Sequence, residues 1–130
     1  PAWRQRAENL LREVSPILPR VPMGFGSSLI ALDFLLHPPV ELALLGDLSS
    51  PPSAEFLRAV HSGFLPARVI TASENPPPQE LSDRVPLLQG KTQAGDGPRL
   101  YICRDRSCRE PVDDPREAAG LLPFVSSPGR

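Results

Sequence analysis

The sequence is short of the residues from which most recognisable small sites are built. It holds two cysteines, two histidines, one methionine, one tryptophan, one tyrosine and a single lysine among 130 residues. Two cysteines are too few for a disulfide-stapled scaffold, and with two scattered histidines they lack the spacing of a zinc module, so no metal site and no cofactor is expected. An excess of one charge is missing too. Fourteen basic residues against fifteen acidic ones leave a formal net charge of −1, which gives no electrostatic reason to expect DNA, RNA or an anionic membrane as partner. The longest apolar stretch, Leu29 to Leu36, is eight residues with Asp33 inside it, less than half a membrane span. A basic n-region followed by an apolar h-region, the mark of a secretory signal, does not occur. These absences make a cytoplasmic location the expectation.

Proline is what the chain has in excess: eighteen residues, nearly three times the usual share. Each one removes a backbone donor and restricts its predecessor, which excludes a long helical bundle. The length suits about one domain. Thirteen of the fourteen basic residues are arginine, which reads as a codon-composition bias and carries no chemistry. The chain opens Pro1-Ala2-Trp3 and its one methionine is Met23, so a processed chain or a piece of a longer protein is expected. The closing residues, Leu122 to Arg130, are rich in Pro, Ser and Gly and have no periodic pattern; a loose tail is expected over 124–130.

Along the chain, Trp3, Ala7, Leu10, Leu11 and Val14 recur at spacings of three and four, the stripe of an amphipathic helix with Arg4, Arg6, Glu8, Arg12 and Glu13 on its wet face. Pro16, Pro19 and Pro22 end it. Gly26 to Leu36 predicts a second helix, apolar nearly all round, which must be covered on every side and is hard to bury in so short a chain. Asp33 within it needs a partner, for which Arg20 or a neighbour outside the chain is the expectation. His37-Pro38-Pro39 stops that helix. Val40 to Leu45 reads as a buried strand closed by Gly46-Asp47. Ser50 and Pro51 form an N-cap and N1 pair, and Phe56, Leu57, Val60 and Phe64 follow at helical spacing. Arg68 to Ala72 is a second strand. Leu81, Val85, Leu87 and Leu88 suggest short helical turns broken by Pro86. Arg99 to Cys103 is a third strand, reached through the flexible turn Gly95-Asp96-Gly97-Pro98. Asp114-Pro115-Arg116-Glu117 starts a last helix ending near Leu122. Helices between the strands argue for a parallel sheet. The fold expected is α/β: two N-terminal helices over 1–38, then, over 39–123, a small three-stranded, mostly parallel sheet with flanking helices.

Three patterns bear on chemistry. Gly90-Lys91-Thr92 resembles the end of a phosphate-binding loop, but Val85 stands where that motif needs glycine and no strand leads in; Gly24-Phe25-Gly26 fails as a dinucleotide loop because Leu29 replaces the third glycine. Cys103 and Cys108 are spaced C-x4-C. A catalytic redox pair is usually C-x-x-C at a helix N-terminus, but a turn that folds back would let this pair bridge; the other reading is one buried thiol and one loop thiol. Finally, ligands of open parallel sheets bind outside the carboxyl ends of the strands. Asp47, Glu74 and Asp105 stand at those predicted ends and would form an acidic ligand site if they converge, although strand-end aspartates more often cap helices and turns. His37 at a helix end and His61 within a helix need no catalytic duty. No residue emerges as catalytic.

From Val40 onward the chain resembles a known family. The residues that carry the resemblance are Glu41-Leu42-Ala43-Leu44-Leu45-Gly46-Asp47, His61-Ser62-Gly63-Phe64-Leu65-Pro66, Arg68-Val69-Ile70 and, most specifically, Leu100-Tyr101-Ile102-Cys103-Arg104-Asp105-Arg106-Ser107-Cys108-Arg109-Glu110-Pro111-Val112-Asp113-Asp114-Pro115. They are similar to the C-terminal end of the thioredoxin-domain-containing proteins related to spermatogenesis-associated protein 20. In that family a thioredoxin-like domain is followed by a helical toroid of six-hairpin-glycosidase type and a small α/β region. The resemblance implies that residues 1–38 are the final helical pair of the toroid and 39–123 the closing α/β domain. It implies no catalytic residue, since the thioredoxin-like cysteines and the toroid cavity belong to segments this sequence does not contain. The expected function is therefore a non-catalytic structural or docking module, with the remainder of a larger parent chain as its partner. The alternatives are a thiol–disulfide module using Cys103 and Cys108, or a small-ligand binder around Asp47, Glu74 and Asp105.

Overall fold

The computed structural model describes residues 2–92, 95–105 and 107–125. Its chain divides into two compact units, residues 1–38 and 39–130.

In the first unit, helix α1 (Ala2–Val14) follows the predicted stripe, and its wet face is laced by pairs one turn apart. Arg4 Nε donates to Glu8 Oε1 at 2.9 Å, and the Gln5 and Arg12 side chains both donate to Asn9 Oδ1. Such exposed pairs add a few tenths of a kcal/mol each. After the proline-rich connection, in which Leu18 is buried, a 3-10 turn (Pro22–Phe25) leads into helix α2 (Gly26–Leu36). Neither helix fully buries a residue. The expectation that Asp33 is buried and paired with Arg20 is corrected: its side chain is about half exposed, and Oδ1 lies 2.9 Å from Nδ1 of His37, one turn on. The reason is that α2 is not enclosed, so its carboxylate reaches water and a neighbour on its own helix.

In the second unit, strand β1 (Val40–Leu45) is followed by helix α3 (Pro51–Ser62), strand β2 (Arg68–Ser73), the short helix α4 (Gln79–Arg84) and a 3-10 turn (Pro86–Leu88). Strands β3 (Arg99–Arg104) and β4 (Ser107–Cys108) and helix α5 (Pro115–Val125) complete it. Helix α5 thus runs past the expected end, and 126–130, most of the expected loose tail, lie outside the described residues. The four strands form one sheet in the order β2-β1-β3-β4. Apolar residues alternate across β1. Val40, Leu42 and Leu44 join Leu100, Ile102 and Val112 under Phe56 and Val60 of α3 and Ala118 and Leu122 of α5. Ala43 and Leu45 face the other way, with Tyr101, under Leu81, Val85 and Leu88. Burial on both faces is why β1 reads as a continuous hydrophobic run.

Two expectations about the sheet are corrected. Among the described residues it has four strands, not three, and only β1 and β2 are parallel; β3 is antiparallel to β1, and β4 to β3. Leu45 stands opposite Ser73 on one side and Arg99 on the other, so β3 begins at the end of the sheet where β2 stops. A parallel return would need a helix about as long as the strand. Helix α4 has six residues, about 9 Å of rise against roughly 20 Å of six-residue strand. Phe64 also departs from expectation. Helix α3 ends at Ser62, and Phe64 beyond it is 90% exposed rather than part of the core stripe.

Candidate functional site

The loop between β1 and α3 is ordered by its own polar groups. Gly46 at φ +141° donates its N–H to the Ser73 carbonyl, 3.1 Å away, tying β1 to the end of β2. Asp47 then accepts from the Ser49 N–H (2.9 Å) and hydroxyl (2.6 Å), and its carbonyl accepts from the hydroxyls of Ser50 and the buried Ser53, each at 2.7 Å. Ser50 Oγ accepts from the Ser53 N–H at 3.4 Å, the N-cap that the sequence predicts. The Ser49 hydroxyl, followed by its backbone N–H, holds the Asp47 carboxyl below the usual range. Asp47 acts here as a turn-forming side chain.

Asp47 and Glu74 do follow adjacent strand ends, since Leu45 and Ser73 are paired. Asp105 does not join them. Because β3 is antiparallel, Asp105 sits at the opposite end of the sheet, in the turn between β3 and β4, with φ +52°. The three acids therefore form no common rim. Two surface concavities lie elsewhere. One, of about 510 Å³, is lined by Pro78, Glu80, Leu81, Arg84 and Val85; the other, of about 380 Å³ in the first unit, is lined by Arg4, Glu8, Leu11, Leu18, Leu32 and Leu35 among others. Among the described residues no group of three or more His, Cys, Asp or Glu is placed to hold a metal ion, and no helix is long and apolar enough to cross a membrane.

Cys103 and Cys108 are joined by a disulfide, so the reading of one buried and one loose thiol gives way to a covalent pair. The two residues face each other across β3 and β4 with Cα atoms 3.9 Å apart. Arg109 N–H donates to the Ile102 carbonyl at 3.0 Å, which makes the cysteines a non-hydrogen-bonded pair, the closer of the two antiparallel kinds. Cys103 is 2% exposed, whereas Cys108 lies on the surface.

Beyond the hairpin, Leu100 and Val112 exchange two backbone hydrogen bonds of 2.8 Å. Arg99 then holds Asp113 through Nε and Nη2, both at 2.6 Å, and Asp114 Oδ1 accepts from the Arg116 N–H to start α5. These bonds keep Asp113 below the usual carboxylate range and Arg99 more firmly protonated. Nothing in the sequence points to this Arg99–Asp113 pair, because no local pattern relates residues fourteen apart. The same holds for the tie of Thr92, whose N–H and carbonyl both bond the Tyr101 hydroxyl. That tie, with Lys91 Nζ 5.6 Å from the Tyr101 ring centroid, accounts for the segment that looked like a phosphate loop: it packs on the sheet.

The chain is similar to spermatogenesis-associated protein 20. The human and mouse proteins are each 26% identical to it and the rat protein 27%, in each case over 120 residues that cover 92% of this chain. The chain spans about 15% of the length of these relatives. No family model matches it, and no solved structure does.

Proposed function

We propose that the chain is a non-catalytic structural module that docks, through its first unit, on the helical remainder of a larger protein like spermatogenesis-associated protein 20. The observation that carries this reading is the apolar surface of that unit. Trp3, Met23, Ile30 and Leu36 are 78, 95, 63 and 65% exposed, and α2, apolar nearly all round, buries no residue completely. A helix of that composition is at home only when covered, and apolar side chains exposed in such numbers mark an interaction surface. The similarity supports the choice of partner, since most of the length of the relatives lies outside the matched region. On this reading α1 and α2 belong with a helical toroid of six-hairpin type, the α/β unit forms a wall at its mouth, and the whole resides in the cytoplasm.

Light scattering on the purified chain, combined with binding of a hydrophobic dye, tests the reading. Concentration-dependent association and dye binding are expected, and both should fall in Ile30→Asp while the denaturation midpoint stays unchanged. A chain that remains monomeric and dye-silent at high concentration would overturn it. A discrete two-fold dimer would assign the surface to a second copy instead.

A further inference from the structure

We propose that the Cys103–Cys108 bridge is a thiol-exchange site at which an external dithiol attacks the Cys108 sulfur and the buried Cys103 sulfur is the leaving group. The inference goes beyond the docking reading and stands independently of it. Its first support is asymmetry. Exchange proceeds through the sulfur that a thiolate can reach, and here one sulfur belongs to an exposed residue on an edge strand while the other belongs to a residue 2% exposed. Exposed disulfides are the labile ones, whereas structural bridges resist reduction.

The second support is that the surrounding structure closes the hairpin without the bridge. The Arg109–Ile102 hydrogen bond lies on one side of it, and farther along β3 the isolated Leu100–Val112 bridge and the Arg99–Asp113 side-chain pair hold the returning chain. A bridge that spans only six residues, already held by backbone pairing, can open and re-form without loss of the sheet.

In the step itself, one thiolate of the dithiol forms a bond to Cys108 Sγ as the Sγ–Sγ bond breaks. Cys103 departs as a thiolate and takes up a proton. The second thiol of the reductant, deprotonated, then attacks its own sulfur in the mixed disulfide, closing the oxidised reductant and releasing Cys108. Two electrons pass from the dithiol to the protein bridge, and oxidised glutathione reverses the change in two such exchanges.

The test treats the intact chain with dithiothreitol at fixed pH, quenches with an alkylating agent, and counts labels by mass. Reduction of the native chain is expected within about tenfold of the rate in denaturant, with the far-ultraviolet circular dichroism retained and the bridge restored by oxidised glutathione. When glutathione replaces dithiothreitol, an acid-trapped mixed disulfide should map to Cys108. In oxidised glutathione, Cys103→Ser should acquire one adduct while Cys108→Ser acquires it at least about tenfold more slowly. Reduction that requires denaturant, collapse of the spectrum on reduction, or an adduct mapping to Cys103 would each overturn the proposal. The measurements on the unmutated chain decide it even if a variant fails to fold.

Discussion

Gly46 shows at a single residue how the second unit is closed. A Cβ at this position would lie 2.8 Å from Pro98 Cα, and the φ of +141° is one that other residues rarely adopt. The end of β1 and the residue before β3 are in contact at a point where only glycine fits. The Arg99–Asp113 pair begins at the next residue and is expected to make a small acid-sensitive contribution to stability. Asp113 is held below the usual carboxylate range chiefly by the hydrogen bonds from Arg99, against the opposing effect of burial. A carboxyl with a lower pKa folded than unfolded contributes stability that is fully present above the unfolded value, about 3.9, and is lost as the pH falls through the lower, folded one. Asp113→Asn should therefore lower the urea midpoint at neutral pH, and its difference from the unmutated chain should shrink as the pH falls below about 3.9. The effect is expected to be small, because the Asp113 side chain is 56% exposed and the pair is screened by solvent. Destabilisation that does not shrink on acidification would show that the substitution acts through something other than the charge. Asp47, shifted in the same direction by Ser49, should leave a residual acid dependence in the variant.

Elements differ in how much of their pattern is cashed as burial. Helix α3 places Ser53, Phe56 and Val60 against the sheet, and its cap, first-turn proline and spacing were all legible in the sequence. Helix α2 was equally legible as a helix, but its composition said only that something must cover it. Phe56→Ala should accordingly cost about 3–5 kcal/mol in urea unfolding, the range for a large core side chain lost, and a loss below about 1 kcal/mol would mean that this face is not the core. Strand β1 was legible because a strand buried on both faces is written as a hydrophobic run, and β2, a half-exposed edge strand, because it is rich in β-branched residues. The direction of β3 was not, since antiparallel and parallel neighbours of a fully buried strand use the same residue types; only the shortness of α4 distinguishes them. Strand β4 is two residues long and has no periodicity to read. Its disulfide was legible only as one of two alternatives, because whether Cys103 and Cys108 meet depends on the turn at Asp105. A six-residue loop gives the bridge about 2 kcal/mol by the chain-entropy relation, modest beside a bridge closing a long loop.

At the scale of the whole chain, the two units divide the labour unequally. Among the described residues, and apart from Leu18, the buried apolar side chains all belong to residues 39–130, while Trp3, Met23, Ile30 and Leu36 remain at the surface of residues 1–38. The candidate acidic site fared worst in the sequence because it depended on long-range topology: one reversed strand was enough to send Asp105 to the far end of the sheet. The apolar excess of α2 fared best because it is a property of composition, independent of where the chain goes. If stability resides in the sheet and its covering helices, removing residues 1–38 should leave the cooperative unfolding of 39–130 nearly intact in midpoint. Dye binding and self-association should be abolished, since the surface responsible is gone. The denaturant slope, which follows the area exposed on unfolding, should fall only slightly, because the deleted helices bury little. Urea titration and light scattering on the shortened chain measure all three. A shortened chain that no longer unfolds cooperatively would mean that α1 and α2 support the sheet directly, and the first unit would then have to be regarded as part of the core it was expected merely to adjoin.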